Sequence, residues 1–93
     1  MDIDELRQAI RRKNLAYEEL YLACVHCRKW QYEHMTADGL PDLPAAWEAR
    51  RAELARRYQD ALEVHQAVHQ AARDELREYA ADLPANATHT LET

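Results

Sequence analysis

The sequence predicts an all-α protein: an antiparallel two-helix hairpin that dimerises into a four-helix bundle. Three observations carry this. Helix breakers gather in one interior stretch, Thr36-Ala37-Asp38-Gly39-Leu40-Pro41-Asp42-Leu43-Pro44, which holds the sole glycine and two of the three prolines. Proline lacks the amide that a helix interior needs and pushes its predecessor out of the helical region, so no helix passes through Leu40-Pro41 or Leu43-Pro44. On both sides of that stretch, apolar residues recur at spacings of three and four with no Gly or Pro among them. Finally, the core is thin. Of the 47% hydrophobic residues, 17 are Ala and only 16 are Leu, Ile or Val, with no Phe. A 93-residue chain with so little to bury gains stability most readily from a second subunit.

Helix 1 is expected over residues 2–35. Asp2 is a suitable N-cap, and Glu5 three residues on completes a capping-box-like pair. Ile3, Leu6, Ile10, Tyr17, Leu20, Cys24 and Cys27 form an apolar stripe broken by Lys13. Ala9, Ala16, Ala23 and Trp30 widen the stripe, and Leu15, Leu22 and Val25 lie further round. A helix apolar over so much of its girth wants more than one neighbour.

The hinge is expected over 36–44. Asp38-Gly39 signals a turn, with Gly39 able to take the left-handed conformation that closes a helix C-terminus. Pro44 suits a first helical turn, with Asp42 or Leu43 as the cap. Helix 2 then spans 44–83, with Trp47, Leu54, Tyr58, Ala61, Leu62, His65, Val68, Ala72, Leu76, Tyr79 and Leu83 on a drifting stripe. Glu53 with Arg56 and Arg57, Glu48 with Arg51, and Asp74 with Arg77 have the spacing of surface ion pairs. Pro84 ends the helix, and 84–93 is expected to be a disordered polar tail.

Folding the helices back through a short connection pairs residues whose numbers sum to about 79. Trp47 then falls near Tyr32, Leu54 near Val25, Tyr58 near Tyr21, and Leu62 near Tyr17. His65 falls opposite Lys13 and Asn14, a polar layer of the kind that sets register. Tyr17, Leu20, Tyr58, Leu62, His65 and Val68 are the expected bundle seam. Folding also separates charge along the rod. Arg28, Lys29, Arg50, Arg51, Arg56 and Arg57 lie toward the hinge, whereas Asp2, Asp4, Glu5, Asp74, Glu75, Glu78 and Asp82 lie toward the termini. Two hairpins packed antiparallel place unlike ends together.

Twelve Lys and Arg against seventeen Asp and Glu give a net charge of −5, which argues against nucleic acid or an anionic membrane as the main target. No apolar run is long enough to span a bilayer, and the acidic opening Met1-Asp2-Ile3-Asp4-Glu5 is unlike a signal peptide. With two cysteines three apart on one helix, this points to a reducing, cytoplasmic setting.

Catalysis is not expected. One glycine cannot build a phosphate loop, the residues three before His65 and His69 are Leu62 and Gln66 rather than glutamates, and no nucleophile has a nameable base. No cofactor is expected either. Cys24, Cys27, His65 and His69 have the donor chemistry of a zinc site. The two pairs are ~15 Å apart along one hairpin, so only an intersubunit site is conceivable. The two cysteines are otherwise expected to be buried core residues. The hinge end gathers Trp30, Tyr32, Trp47, Arg50 and Arg51, residue types that dominate protein interfaces. The expected function is therefore a non-enzymatic protein–protein interaction module, an adaptor, chaperone or small inhibitor acting as a hairpin dimer. Zinc-stabilised dimerisation and weak nucleic-acid binding at the basic hinge end are the alternatives.

Overall fold

The computed structural model describes residues 2–83, so the expected polar tail of 84–93 lies outside the described residues. Two helices, α1 (Ile3–Glu33) and α2 (Ala45–Ala81), pack against each other, and no strand occurs among the described residues. The molecule is elongated, with principal extents of 70 × 25 × 15 Å.

Each helix end has an identifiable cause. Asp2 sits in extended backbone (φ −93°, ψ 102°), and its carboxylate accepts the Glu5 amide at 3.1 Å. Asp4 and Glu5 add negative charge to the first turn of α1, where the helix dipole favours it. At the other end the His34 amide donates to the Trp30 carbonyl at 3.1 Å, and its ring Nδ1 donates to the same oxygen at 2.9 Å. The helix thus closes on a histidine, five residues before the glycine expected to do so. Gly39 instead shapes the hinge itself. Its φ is +114°, and it exchanges two backbone hydrogen bonds with Thr36 at 3.0 and 3.1 Å, while the Thr36 hydroxyl accepts the Asp38 amide at 3.3 Å. Gln31 ties this turn to α1 by donating Nε2 to the Pro41 carbonyl at 2.9 Å.

Neither Asp42 nor Leu43 caps α2. Pro44 holds that place at φ −51° and ψ 140°, and its carbonyl accepts the amides of Trp47 and Glu48 at 3.0 and 3.1 Å. The proline ring presets the entry angle, and no side-chain oxygen takes part.

The contact between helices follows a seven-residue repeat. On α1 the stripe drawn from solvent is Leu6, Ala9, Lys13, Ala16, Leu20, Ala23, Cys27 and Trp30, with Gln31 half-buried beside it. On α2 the stripe is Trp47, Arg51, Leu54, Tyr58, Ala61, His65, Val68 and Ala72, with Glu53, Leu62 and Ala80 half-buried beside it. Gaps of three and four alternate without a break on both helices, the pattern of a coiled-coil seam. This corrects the expected α1 stripe. Ile3, Ile10, Tyr17 and Cys24 are exposed, and the alanines Ala9, Ala16 and Ala23 take the inner place. The two stripes share Leu6, Lys13, Leu20 and Cys27 and have identical spacing, so periodicity cannot choose between them. Small residues allow the helix axes to approach more closely, which favours the alanine stripe.

The resulting core is slight. Among the described residues Ala9, Cys27, Leu54, Ala61 and Ala72 are buried, no large side chain is fully buried, and Leu54 at 3% exposure is the one large aliphatic residue of the five. Val25, its expected partner, is exposed. Cys27 belongs to the core as anticipated; Cys24, one place outside the seam, does not.

Candidate functional site

The hinge end carries an aromatic cluster built from both helices. Trp30 and Trp47 meet edge to face with ring centroids 5.7 Å apart. His34 stacks on Trp30 at 4.5 Å, and His26 lies against Trp47 at 4.8 Å. Such pairs add about 0.5–1.5 kcal/mol each beyond the area they bury. Trp47 therefore packs on Trp30 and His26, which lie farther from the hinge along α1 than the expected Tyr32. The sequence reading missed both histidines; His26, Trp30 and His34 follow at intervals of four, one helical row, and that spacing is the signal that could have found them.

Around this cluster the other expected contact residues divide. Trp30, Trp47 and Arg51 are half-buried, whereas Tyr32 and Arg50 are exposed, together with Met35 and Leu40. Glu53 takes both Arg50 at 3.8 Å and Arg57 at 2.8 Å, in place of the expected Arg56. The expected Asp74–Arg77 pair forms at 3.8 Å, Lys29 pairs with Glu33 at 3.9 Å, and Glu48 and Arg51 are not paired. Arg28, Arg51 and Arg56 have no ion-pair partner among the described residues, so their charge is available at this end.

The middle of the rod has a second character. Tyr58 packs edge to face on Tyr17 at 5.6 Å, and Tyr17 in turn stacks on Tyr21 at 6.4 Å. One step toward the termini, His65 and His69 stack at 5.9 Å, and Lys13 lies close enough to act on His65. Partial burial in the seam, then the charge of Lys13 and then His69, hold the His65 pKa below its ordinary value of 6.5. Of the expected bundle-seam residues, Leu20, Tyr58, Leu62, His65 and Val68 are half-buried within the hairpin, while Tyr17 is 54% exposed.

Cys24 is exposed, Cys27 faces the seam, and no group of three or more His, Cys, Asp or Glu is positioned to hold an ion among the described residues. Among those residues, too, no helix is long and apolar enough to cross a membrane.

No protein family, no curated protein and no solved structure matches the chain.

Proposed function

We propose that the protein is a non-enzymatic protein–protein interaction module that works as a helical-hairpin dimer and engages a partner protein through its hinge end, in a reducing cytoplasmic setting. The observation that carries this is the excess of exposed over buried apolar side chains. Large apolar residues including Tyr32, Met35 and Leu40 stand exposed, while the buried set is three alanines, one cysteine and one leucine. At the hinge end these exposed groups surround the Trp30–Trp47 platform and sit beside Arg50, which shares Glu53 with Arg57, and beside Arg28 and Arg51, which have no ion-pair partner among the described residues. Aromatic anchors flanked by arginine are what protein hot spots are made of. The two thiols, both free, suit a reducing environment.

The test uses Tyr32→Ala with Arg50→Ala, because both side chains are exposed and their loss leaves the tryptophan platform in place. Affinity capture from the native host, quantified by mass spectrometry, is expected to recover a protein with the wild-type hairpin and to lose it with the double variant at unchanged helical circular dichroism. Equal recovery by both would remove the hinge end from the proposal.

A further inference from the structure

The flank of the hairpin that carries Ile3, Ile10 and Tyr17 on α1 and Leu62 and Leu76 on α2 is where we propose a second copy of this chain docks, antiparallel to the first. This rests on the dimer reading and deepens it by assigning the face, the register and the direction.

The first argument is where the large side chains sit. A two-stranded coil needs apolar residues at two of every seven positions, whereas a helix of a bundle core carries a third beside them. Here the seam takes alanine at 9, 16 and 23, and the large residues stand one place later, at Ile10 and Tyr17. On α2 Leu62 follows the seam residue Ala61 in the same way. Ile3, Tyr17 and Leu76 are each more than half exposed. In an antiparallel pair these places fall on one side of the hairpin, as the Tyr17–Tyr58 contact shows for the centre of the rod. Bulk thus stands on this flank rather than between the helices, as it also does at Leu15, Leu22 and Val64 on the other side.

The middle of the strip is polar but uncharged along its edge, at Asn14, Tyr21, Gln59 and Gln66, and the same rows carry Arg7, Arg28 and Arg73 toward its ends. From Ile3 to Cys24 it runs about 32 Å at helical rise and is roughly 20 Å across two helices. That footprint of ~600 Å² is close to the ~800 Å² of accessible surface that a stable interface takes from each partner.

Symmetry and charge then choose the occupant. Asn14 and Gln66, beside the His65–His69 stack, lie at the middle of the strip, so a two-fold axis there sets polar groups on polar groups and apolar halves on apolar halves. The rod is basic toward the hinge (Arg28, Arg51, Arg56) and acidic toward the termini (Asp2, Asp4, Asp82). An antiparallel second copy puts each basic end on an acidic one, whereas a parallel copy opposes like charges. The chain carries both halves of its own complement.

This arrangement lays α1 across α1 of the second copy, with Ile3 of each over Cys24 of the other. The experiment measures mass by sedimentation and crosslinking by mild oxidation. Wild type is expected to be dimeric. Ile10→Lys with Leu76→Lys should give a monomer, while Leu15→Lys with Leu22→Lys, on the opposite side, should stay dimeric. Ile3→Cys should yield an intermolecular disulfide joining Cys24 to position 3, identified by peptide mapping. A monomeric wild type would end both the inference and the dimer it rests on. A dimer broken by the Leu15 and Leu22 pair instead would leave the dimer standing and overturn this face. A dimer without the 3–24 crosslink overturns the antiparallel direction.

Discussion

Leu54→Ala is the sharpest test of where the hairpin is held together. Leu54 is 3% exposed and sits in the seam, and the other buried side chains are alanines and a cysteine, so Leu54 supplies most of the buried aliphatic bulk. Burying a leucine fully is worth about 1.5–3 kcal/mol, and Leu→Ala losses in closed cores reach ~5 kcal/mol because an empty cavity adds to the transfer cost. A two-helix seam is open to water along both flanks, so the cavity contribution shrinks, and the expected loss is about 2–3 kcal/mol. With a urea slope of ~1 kcal/mol/M for a small chain, the midpoint should fall by roughly 2–3 M. The assay is urea unfolding followed by circular dichroism at 222 nm, the usual helix band, at one fixed protein concentration because any association raises apparent stability. Leu22→Ala is the control. At 59% exposure it should change stability by no more than about 0.5 kcal/mol. A loss under ~1 kcal/mol at Leu54, or an equal loss at Leu22, would refute the seam assignment.

Two further outcomes follow from the same geometry. Because the His65 pKa is lowered in the fold, the unfolded chain binds the proton more readily between the folded pKa and 6.5. Stability should therefore rise with pH through that window and level off above it, as read from thermal melts between pH ~5.5 and ~7.5, and Lys13→Leu should lessen the slope by removing the cation facing His65. Gly39→Ala should cost ~1–2 kcal/mol in urea unfolding. Nothing lies within 4 Å of an added Cβ, so a loss of that size can come only from holding alanine at φ +114°.

The hinge was legible because Gly39, Pro41 and Pro44 act on their own backbone within a residue or two, whatever the rest of the chain does. The N-cap at Asp2 was legible for the same reason: its partner, the Glu5 amide, is three residues away. Pro44 as the cap of α2 was missed because proline is favoured inside the first helical turn, which puts the cap before it, whereas this helix begins one residue later at Ala45. At the hinge end Trp30, Trp47 and Arg50 were legible as residue types. That His26 joins the aromatic cluster depended on the pairing between helices, which sets Trp47 against α1 farther from the hinge than equal spacing about the turn would place it, whereas His34 stacks on Trp30 four residues away.

Local sequence thus determined two long helices, the place where the chain turns, and the amphipathic habit of each helix, since these depend on neighbours within one or two turns. Which of two equally spaced stripes faces inward was a tertiary decision. Ala9, Ala16 and Ala23 let the backbones come together, and that close approach left Ile10 and Tyr17 outside. Periodicity carries no information about side-chain volume, and volume is what selected the seam.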